Sequence, residues 1–470
     1  MPSTRPASSS NALAISDSGV PSEFTHSAQG TSLRRILRLP ALVFFGLVYM
    51  VPLTIFTTYG IVTELTGGRT AGAYLVTLLA MLFTATSYSF MVKRFPVAGS
   101  AYSYTHLAFG PNIGFLAGWS LLLDYLFIPM INYLLIGLFL NIAFPALPVW
   151  GIIVAAIALV TVLNVIGIHS VAKASNLIVG AQIIFIGVFA ALSIKSLHGA
   201  PIDLLSPLLG DGTRPGFSHL MTGAAVLCLS FLGFDAVSTL AEETRDPQRD
   251  VPRAILLTTL GAGLLFTVLA YISQLVLPGS HFANVDAAAN EVMFKAGGQF
   301  LANFFTAAFV AGSLGSALAS QAAVSRILYT MGRDQVLPRR WFGRLSPRFG
   351  TPVFATLVVS VFSLLALVID LTTLASLISF GALVAFSAVN LAVVRTHLVD
   401  QACHRNLSGL LRYGVVPLVG MSLTLWLWTS LSALTLTIGM TWFTLGLVYL
   451  GVLTGGFRKR VKLVHFSEAG

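Results

Sequence analysis

Apolar runs of about 20 residues recur almost from end to end of this chain, and short polar stretches separate them. Each run is long enough to cross a bilayer as a helix. Twelve are expected, at 41–64, 71–92, 113–141, 147–168, 174–194, 218–241, 254–277, 298–325, 352–369, 373–394, 412–430 and 434–455. None alternates at period two, so a membrane barrel is excluded. Residues 1–30 are rich in Ser, Thr, Ala, Pro and Gly and read as a disordered tail. Ser32 to Leu39, SLRRILRL, reads as a short basic amphipathic piece on the membrane surface that leads into the first span. The membrane body is expected at 31–455 and a second tail at 456–470.

Two of the twelve spans carry breakers. Span 6 contains LCLSFLGFDAVSTLAEE (Leu227 to Glu243), with Gly233 two residues before Asp235 in an otherwise apolar stretch. Gly weakens a helix, and a carboxylate in hydrocarbon usually marks a substrate or ion path. Span 1 carries Pro52 in mid-run, between Met50-Val51 and Thr54, where it removes one backbone hydrogen bond and displaces another. The two interrupted spans lie five apart. Interruptions at matching places in two halves point to a site at the bilayer midplane. Spans 1–5 (41–196) and 6–10 (218–395) would be inverted repeats, and spans 11 and 12 (412–455) would be appended. Each break leaves carbonyls at one half-helix, which suit ammonium groups, and N–H groups at the other, which suit carboxylates.

Composition agrees and sharpens the picture. The chain is 56% hydrophobic and 9% charged, against roughly 25% charged in soluble domains. The net charge of +10 is topogenic rather than a nucleic-acid footprint. With the N-terminus inside, 23 of the 27 Lys and Arg residues fall on the inner side, which puts both termini in the cytoplasm. All 27 lie in loops or at span ends. Asp124 in span 3 and Asp235 in span 6 therefore have no cation at their depth. Such acids are protonated, are hydrogen-bonded to neighbours such as Ser120 and Ser238, or wait for a proton or a visiting cation. Cys228 and Cys403 imply no disulfide framework, and the His residues show no H-E-x-x-H spacing. No phosphate loop is present, so no enzyme chemistry, metal site or cofactor is expected. No charged tip with an apolar core opens the chain, so no cleavable signal peptide is expected.

The loops carry a family resemblance. Phe95-Pro96-Val97-Ala98-Gly99-Ser100-Ala101-Tyr102-Ser103-Tyr104, with Gly110-Pro111 and Gly118-Trp119, resembles the segment between spans 2 and 3 of amino acid–polyamine–organocation transporters. Glu242-Glu243-Thr244-Arg245-Asp246-Pro247 through Arg253-Ala254-Ile255 resembles their signature after span 6. Ser325-Arg326-Ile327-Leu328-Tyr329 with Met331-Gly332-Arg333-Asp334 resembles the one after span 8. Within that superfamily, the stretches around Leu123-Asp124-Tyr125, Ser230-Phe231-Leu232-Gly233-Phe234-Asp235 and Ser379-Phe380-Gly381 are most similar to bacterial putrescine importers.

The resemblance implies an all-α membrane protein of the LeuT-like fold, with about twelve transmembrane helices in a 5+5 inverted repeat and broken helices 1 and 6. It implies uptake of a small diamine across the bacterial cytoplasmic (inner) membrane, driven by the proton motive force. Amino acid permeases of the superfamily usually hold the substrate carboxylate on a Gly-rich break in span 1. Here that break reads Met50-Val51-Pro52-Leu53-Thr54, without glycines. Some relatives place a Lys in span 5, where this chain has Gln182. Coupling must then run through a carboxylate proton or use the membrane potential alone. A diamine needs two anionic ends, for which Asp124 and Asp235 are the candidates. The candidate walls are Phe231, Phe234, Tyr125 and Trp119, since an ammonium over an aromatic face gains about 0.5–2 kcal/mol. Gly233 with Met50, Val51, Pro52 and Thr54 would form the breaks. Tyr102 and Tyr104 would shape the inner exit, and Glu242 and Glu243 would form gate or structural ion pairs. The expected partners are a small-molecule substrate, the lipid bilayer and, where a carboxylate couples transport, protons; no nucleic acid is expected. The rival reading is a proton-coupled permease for a neutral or cationic amino acid.

Overall fold

The computed structural model describes residues 35–97, 100–166, 171–198, 203–210, 216–333, 337–399 and 406–456. The first expected tail lies outside these residues, as does the second beyond Gly456, and so does Cys403. Eleven helical segments among the described residues are long and apolar enough to cross a membrane, and a shorter apolar helix, Val353–Leu367, supplies the twelfth span. The one strand-like feature among them is an isolated bridge between Leu37 and Thr244.

Span 1 comprises Leu39–Tyr49, a 3-10 turn Pro52–Thr57 and Tyr59–Thr66. Span 2 is Thr70–Arg94, span 3 Pro111–Ala143, span 4 Val149–Ile166 and span 5 Val171–Leu197. Span 6 comprises Phe217–Val226, Leu227–Phe231 and Ala236–Glu243, and span 7 is Pro247–Val276. Span 8 lies within Ala288–Arg333, span 10 is Leu371–Val394, span 11 Leu407–Thr429 and span 12 Ala433–Leu453. Spans 2, 3, 6 and 10 are the most enclosed, and span 12 is the least. The interior is built around the interrupted span 6.

Apolar packing alone gives little specificity in lipid, because the tails outside are as apolar as the side chains. Hydrogen bonds between helices supply some of it. Thr161 of span 4 and Ser360 of span 9 share a hydrogen bond of 2.7 Å. Gln321 of span 8 donates to Ser360 at 2.9 Å and accepts from Asn164 at 2.7 Å. Each such contact is worth about 0.6 kcal/mol, so the network ties spans 4, 8 and 9 without welding them.

Local structure departs from the sequence reading in two places. The described end of the SLRRILRL piece is not a surface helix. Ile36 and Leu37 donate their amides to the Glu243 carbonyl at 2.9 and 3.0 Å, and Arg245 donates back to Leu37, so this strand is latched to the end of span 6. The link between spans 2 and 3 is not an open loop. Its residues Ser100–Phe109 form a helix with Tyr104 fully buried. The long element Ala288–Arg333 is bent at Gly297 and Gly298, and Gly298 takes φ 65°, which leaves span 8 to begin where the hydropathy placed it.

Candidate functional site

Both interrupted spans break where their sequences indicate, and the breaks touch. In span 6 the chain leaves its helix at Leu232 and turns through Gly233 at φ 126°, a conformation that disfavours any side chain. A β-carbon on Gly233 would stand 2.6 Å from Tyr49 Cδ1 and 3.2 Å from the Met50 amide nitrogen. The glycine therefore serves the turn and also the close approach of span 1. In span 1 the turn falls on Val51, at φ 51° and ψ 102°. A β-branched residue at positive φ is a true outlier, and such strain costs of order 1–3 kcal/mol.

Asp235 follows the span 6 turn and is half-buried. Its carboxyl accepts hydrogen bonds from Ser100 Oγ at 3.0 Å and from the Gly233 amide at 3.3 Å. The Gly233 amide, freed by the break, is thus given to a carboxylate that belongs to the protein. Asp124 comes from the middle of span 3, is 4% exposed, and its Oδ1 has no hydrogen-bond partner among the described residues. The Ala382 amide of span 10 lies against the same carboxyl. Asp124 and Asp235 are within electrostatic range of each other.

Neither of the hydroxyls expected to quench these acids does so. Ser120 donates to the Leu116 carbonyl at 3.0 Å, and Ser238 donates to the backbone carbonyl of Asp235 at 2.6 Å. Each takes the nearby main-chain oxygen of its own helical segment, as serine hydroxyls commonly do. The hydroxyl that does reach a carboxyl, Ser100, comes from the short helix between spans 2 and 3.

The aromatic candidates divide. Phe234 is fully buried beside the acids, 5.6 Å from the Tyr88 ring and 5.0 Å from Phe386. Phe231 faces another way and packs 5.9 Å from Phe266 of span 7. Trp119 is not a wall of this site. It stacks on Trp442 of span 12 at 4.9 Å, and each indole N–H donates to the other's backbone carbonyl at 2.9 Å. Tyr125 is half-buried and sits about 100° around the helix from Asp124. Tyr102 stacks on His106 at 6.2 Å. Tyr104, placed by sequence at an inner exit, lies beneath the surface, 5.9 Å from the Tyr88 ring and within reach of Asp235.

Sequence reasoning missed Tyr88, Phe386 and the roles of Ser379 and Gly381. Tyr88 is fully buried and lies in the electrostatic reach of both acids. Ser379 of span 10 bridges the end of span 6: its hydroxyl donates to the Val226 carbonyl at 3.2 Å and accepts from the Leu229 amide at 3.1 Å. The Ser379-Phe380-Gly381 stretch carried a family signal, but its contact partners on span 6 lie some 150 positions away along the chain.

At the span 1 break three amides bond within the span. Met50 donates to Gly46, Val51 to Val48 and Thr54 to Val51, while Thr54 Oγ1 donates to the Met50 carbonyl at 2.9 Å. Pro52 has no N–H to offer. Gln182 of span 5 is 1% exposed, and a β-carbon on Gly312 of span 8 would stand 2.1 Å from its Nε2. Glu243 contributes through its backbone carbonyl, in the latch to Ile36 and Leu37.

A family model described as amino acid permease matches residues 41–456. The chain is 39% identical over 448 residues to the low-affinity putrescine importer PlaP of Escherichia coli K12, covering 93% of this chain and 97% of that protein. It is 28% identical over 449 residues to the branched-chain amino acid permease BcaP of Bacillus subtilis, covering 89% and 92%. It is 30% identical over 353 residues to the vacuolar cationic amino acid transporter 4 of Arabidopsis thaliana, covering 70% of this chain and 58% of that one.

Proposed function

The chain belongs to the amino acid permease family, and from that premise we propose that it imports putrescine, or a small diamine like it, across the bacterial cytoplasmic membrane. It is a transporter and not an enzyme.

One observation carries the choice of substrate. The Gly233 amide at the break in span 6 donates to the Asp235 carboxyl, while at the break in span 1 the amides of Met50, Val51 and Thr54 bond within their own span and Pro52 has none. An amino acid would bring a carboxylate to a place where a carboxylate already stands, and like charges at close range repel. A diamine brings two ammonium groups instead. Asp235 would receive one, and Asp124, with Oδ1 unpartnered among the described residues, would receive the other. Phe234, Tyr88 and Phe386 would enclose the apolar stem between them. The similarity to the E. coli putrescine importer supports the same reading.

The distribution of Lys and Arg supports a topology with both termini in the cytoplasm. Residues 41–196 and 218–395 would form the two repeats, and 412–455 would be appended. Glu242, Tyr102 and Tyr104 would lie toward the cytoplasmic side of the site. Gln182 cannot titrate, so the driving force would enter through the charge of the substrate or a proton on Asp124 or Asp235.

Uptake of labelled putrescine into proteoliposomes tests the proposal. It is supported if cadaverine competes and ornithine does not. Competition chiefly by ornithine, or by a neutral amino acid, would assign the chain to the amino acid permeases of its family.

A further inference from the structure

Between spans 2, 7 and 11 a groove of about 500 Å³ opens where span 2 ends and span 7 begins. Its rim carries Lys93, Arg249, Arg253 and Arg412, and no acid lines it among the described residues. All four cations are exposed. Arg412 is held over the Phe90 ring at 5.2 Å and near the Tyr413 ring at 5.7 Å, which fixes its head at the groove mouth.

The groove changes character with depth. Thr86 lies two helical turns below Lys93, about 10 Å along the span. Over that distance the walls are Phe90, Pro252 and Leu256. The hydroxyls present offer nothing further to donate: Thr86 bonds to Leu82, and Ser89 bonds to Ala85 and Pro252, at 2.8 to 3.1 Å. The polar demand of an occupant must therefore be met at the rim, and it must be anionic. Outside the groove, Leu257, Leu260 and Leu264 of span 7 and Leu411, Val415 and Leu418 of span 11 are exposed and apolar. Exposed apolar strips on membrane spans suit contact with lipid tails, and these two lie on the spans that supply Arg249, Arg253 and Arg412 to the rim.

We propose that this groove is a binding site for an anionic phospholipid, with the phosphodiester among the four cations and the start of an acyl chain against Phe90 and Leu256. Basic pockets between membrane helices recognise such headgroups by charge. The site lies apart from Asp124 and Asp235 and does not depend on which substrate the protein carries. A soluble phosphate would satisfy the rim but would leave the apolar shaft and the apolar strips on spans 7 and 11 unexplained.

The test uses the full chain in nanodiscs of equimolar phosphatidylglycerol and phosphatidylcholine. Native mass spectrometry after release should show phosphatidylglycerol enriched at least fivefold on the wild-type protein. The double variant Arg253→Gln, Arg412→Gln should return to the bulk ratio. No enrichment, or enrichment unchanged in the variant, overturns the site. A photoactivatable phosphatidylglycerol on the wild-type protein decides the matter independently of any folding defect: adducts are expected on residues 86–93, 248–256 and 411–416, and adducts confined to other spans overturn it. Inorganic phosphate at millimolar concentration should leave the enrichment intact. Its loss would give the groove to a soluble anion and overturn the lipid assignment.

Discussion

The Asp124 carboxyl occupies the space that a side chain on Gly381 would need. A β-carbon at residue 381 would stand 2.0 Å from Asp124 Oδ1 and 2.7 Å from the Ser120 carbonyl. A backbone carbonyl in a helix cannot retreat, so the carboxyl must. Gly381→Ala is expected to raise the putrescine KM of uptake at least tenfold while the protein still reaches the membrane. Tenfold corresponds to about 1.4 kcal/mol, a modest share of one desolvated charge contact. Unchanged KM in this variant would place Asp124 outside the substrate path.

Asp235 is held by Ser100 and by the Gly233 amide. Asp235→Asn keeps the size of the side chain and removes its charge. It should abolish uptake, with surface expression and melting temperature near wild type. Ser100→Ala removes one donor and keeps the charge, so a partial loss is expected there, of the order of the 1.5–3 kcal/mol that a hydrogen bond to a charged group is worth. Wild-type uptake by the Asn variant would remove this carboxyl from the mechanism.

Val51 should reverse a familiar order. In ordinary helix or strand, alanine is more stabilising than glycine by about 0.5–1 kcal/mol. At φ 51°, any β-carbon is strained. Val51→Gly should therefore melt at a higher temperature than Val51→Ala when the two are compared in the same detergent. The usual order would mean that span 1 does not hold this turn.

The span count and the two breaks were legible because hydropathy has a length scale set by the bilayer and because Gly233 and Pro52 act on the backbone locally. The two acids were legible because a carboxylate in an apolar run stands out without any neighbour being known. What lines the space between them was not. Tyr88 sits in a run that reads as ordinary span, and only the fold brings it to Phe234 on another helix. Ser120 and Ser238 were the nearest hydroxyls in sequence, yet each bonds to main-chain oxygen. Ser100, far from Asp235 along the chain, took the role. The buried helix Ser100–Phe109 escaped notice because it is short, and Gly110-Pro111 at its end reads as a loop.

Trp119 gives a control for the site. Its indole is committed to the reciprocal clasp with Trp442, and Gly446 leaves room for it, since a β-carbon there would stand 2.4 Å from Trp119 Cδ1. Trp119→Phe loses one hydrogen bond, worth about 0.5–1.5 kcal/mol. The melting temperature should fall and the putrescine KM should stay within twofold of wild type. A large rise in KM with unchanged stability would restore this residue to the substrate wall.

The substrate's own charge makes the last prediction quantitative. One elementary charge crossing the membrane potential is worth about 2.3 kcal/mol per 100 mV, so a diamine carried as a dication gains about 4.6 kcal/mol. That is more than a thousandfold in equilibrium accumulation. If Asp124 and Asp235 stay ionised through the cycle and simply exchange the dication for solvent, an inside-negative potassium diffusion potential should drive accumulation with no pH gradient. A pH gradient alone should then do little. If a proton rides on either acid as well, the pH gradient should add to the potential rather than replace it. Accumulation that needs the pH gradient and ignores the potential would mean that the site does not carry net positive charge inward, and the dication would have to be abandoned as cargo.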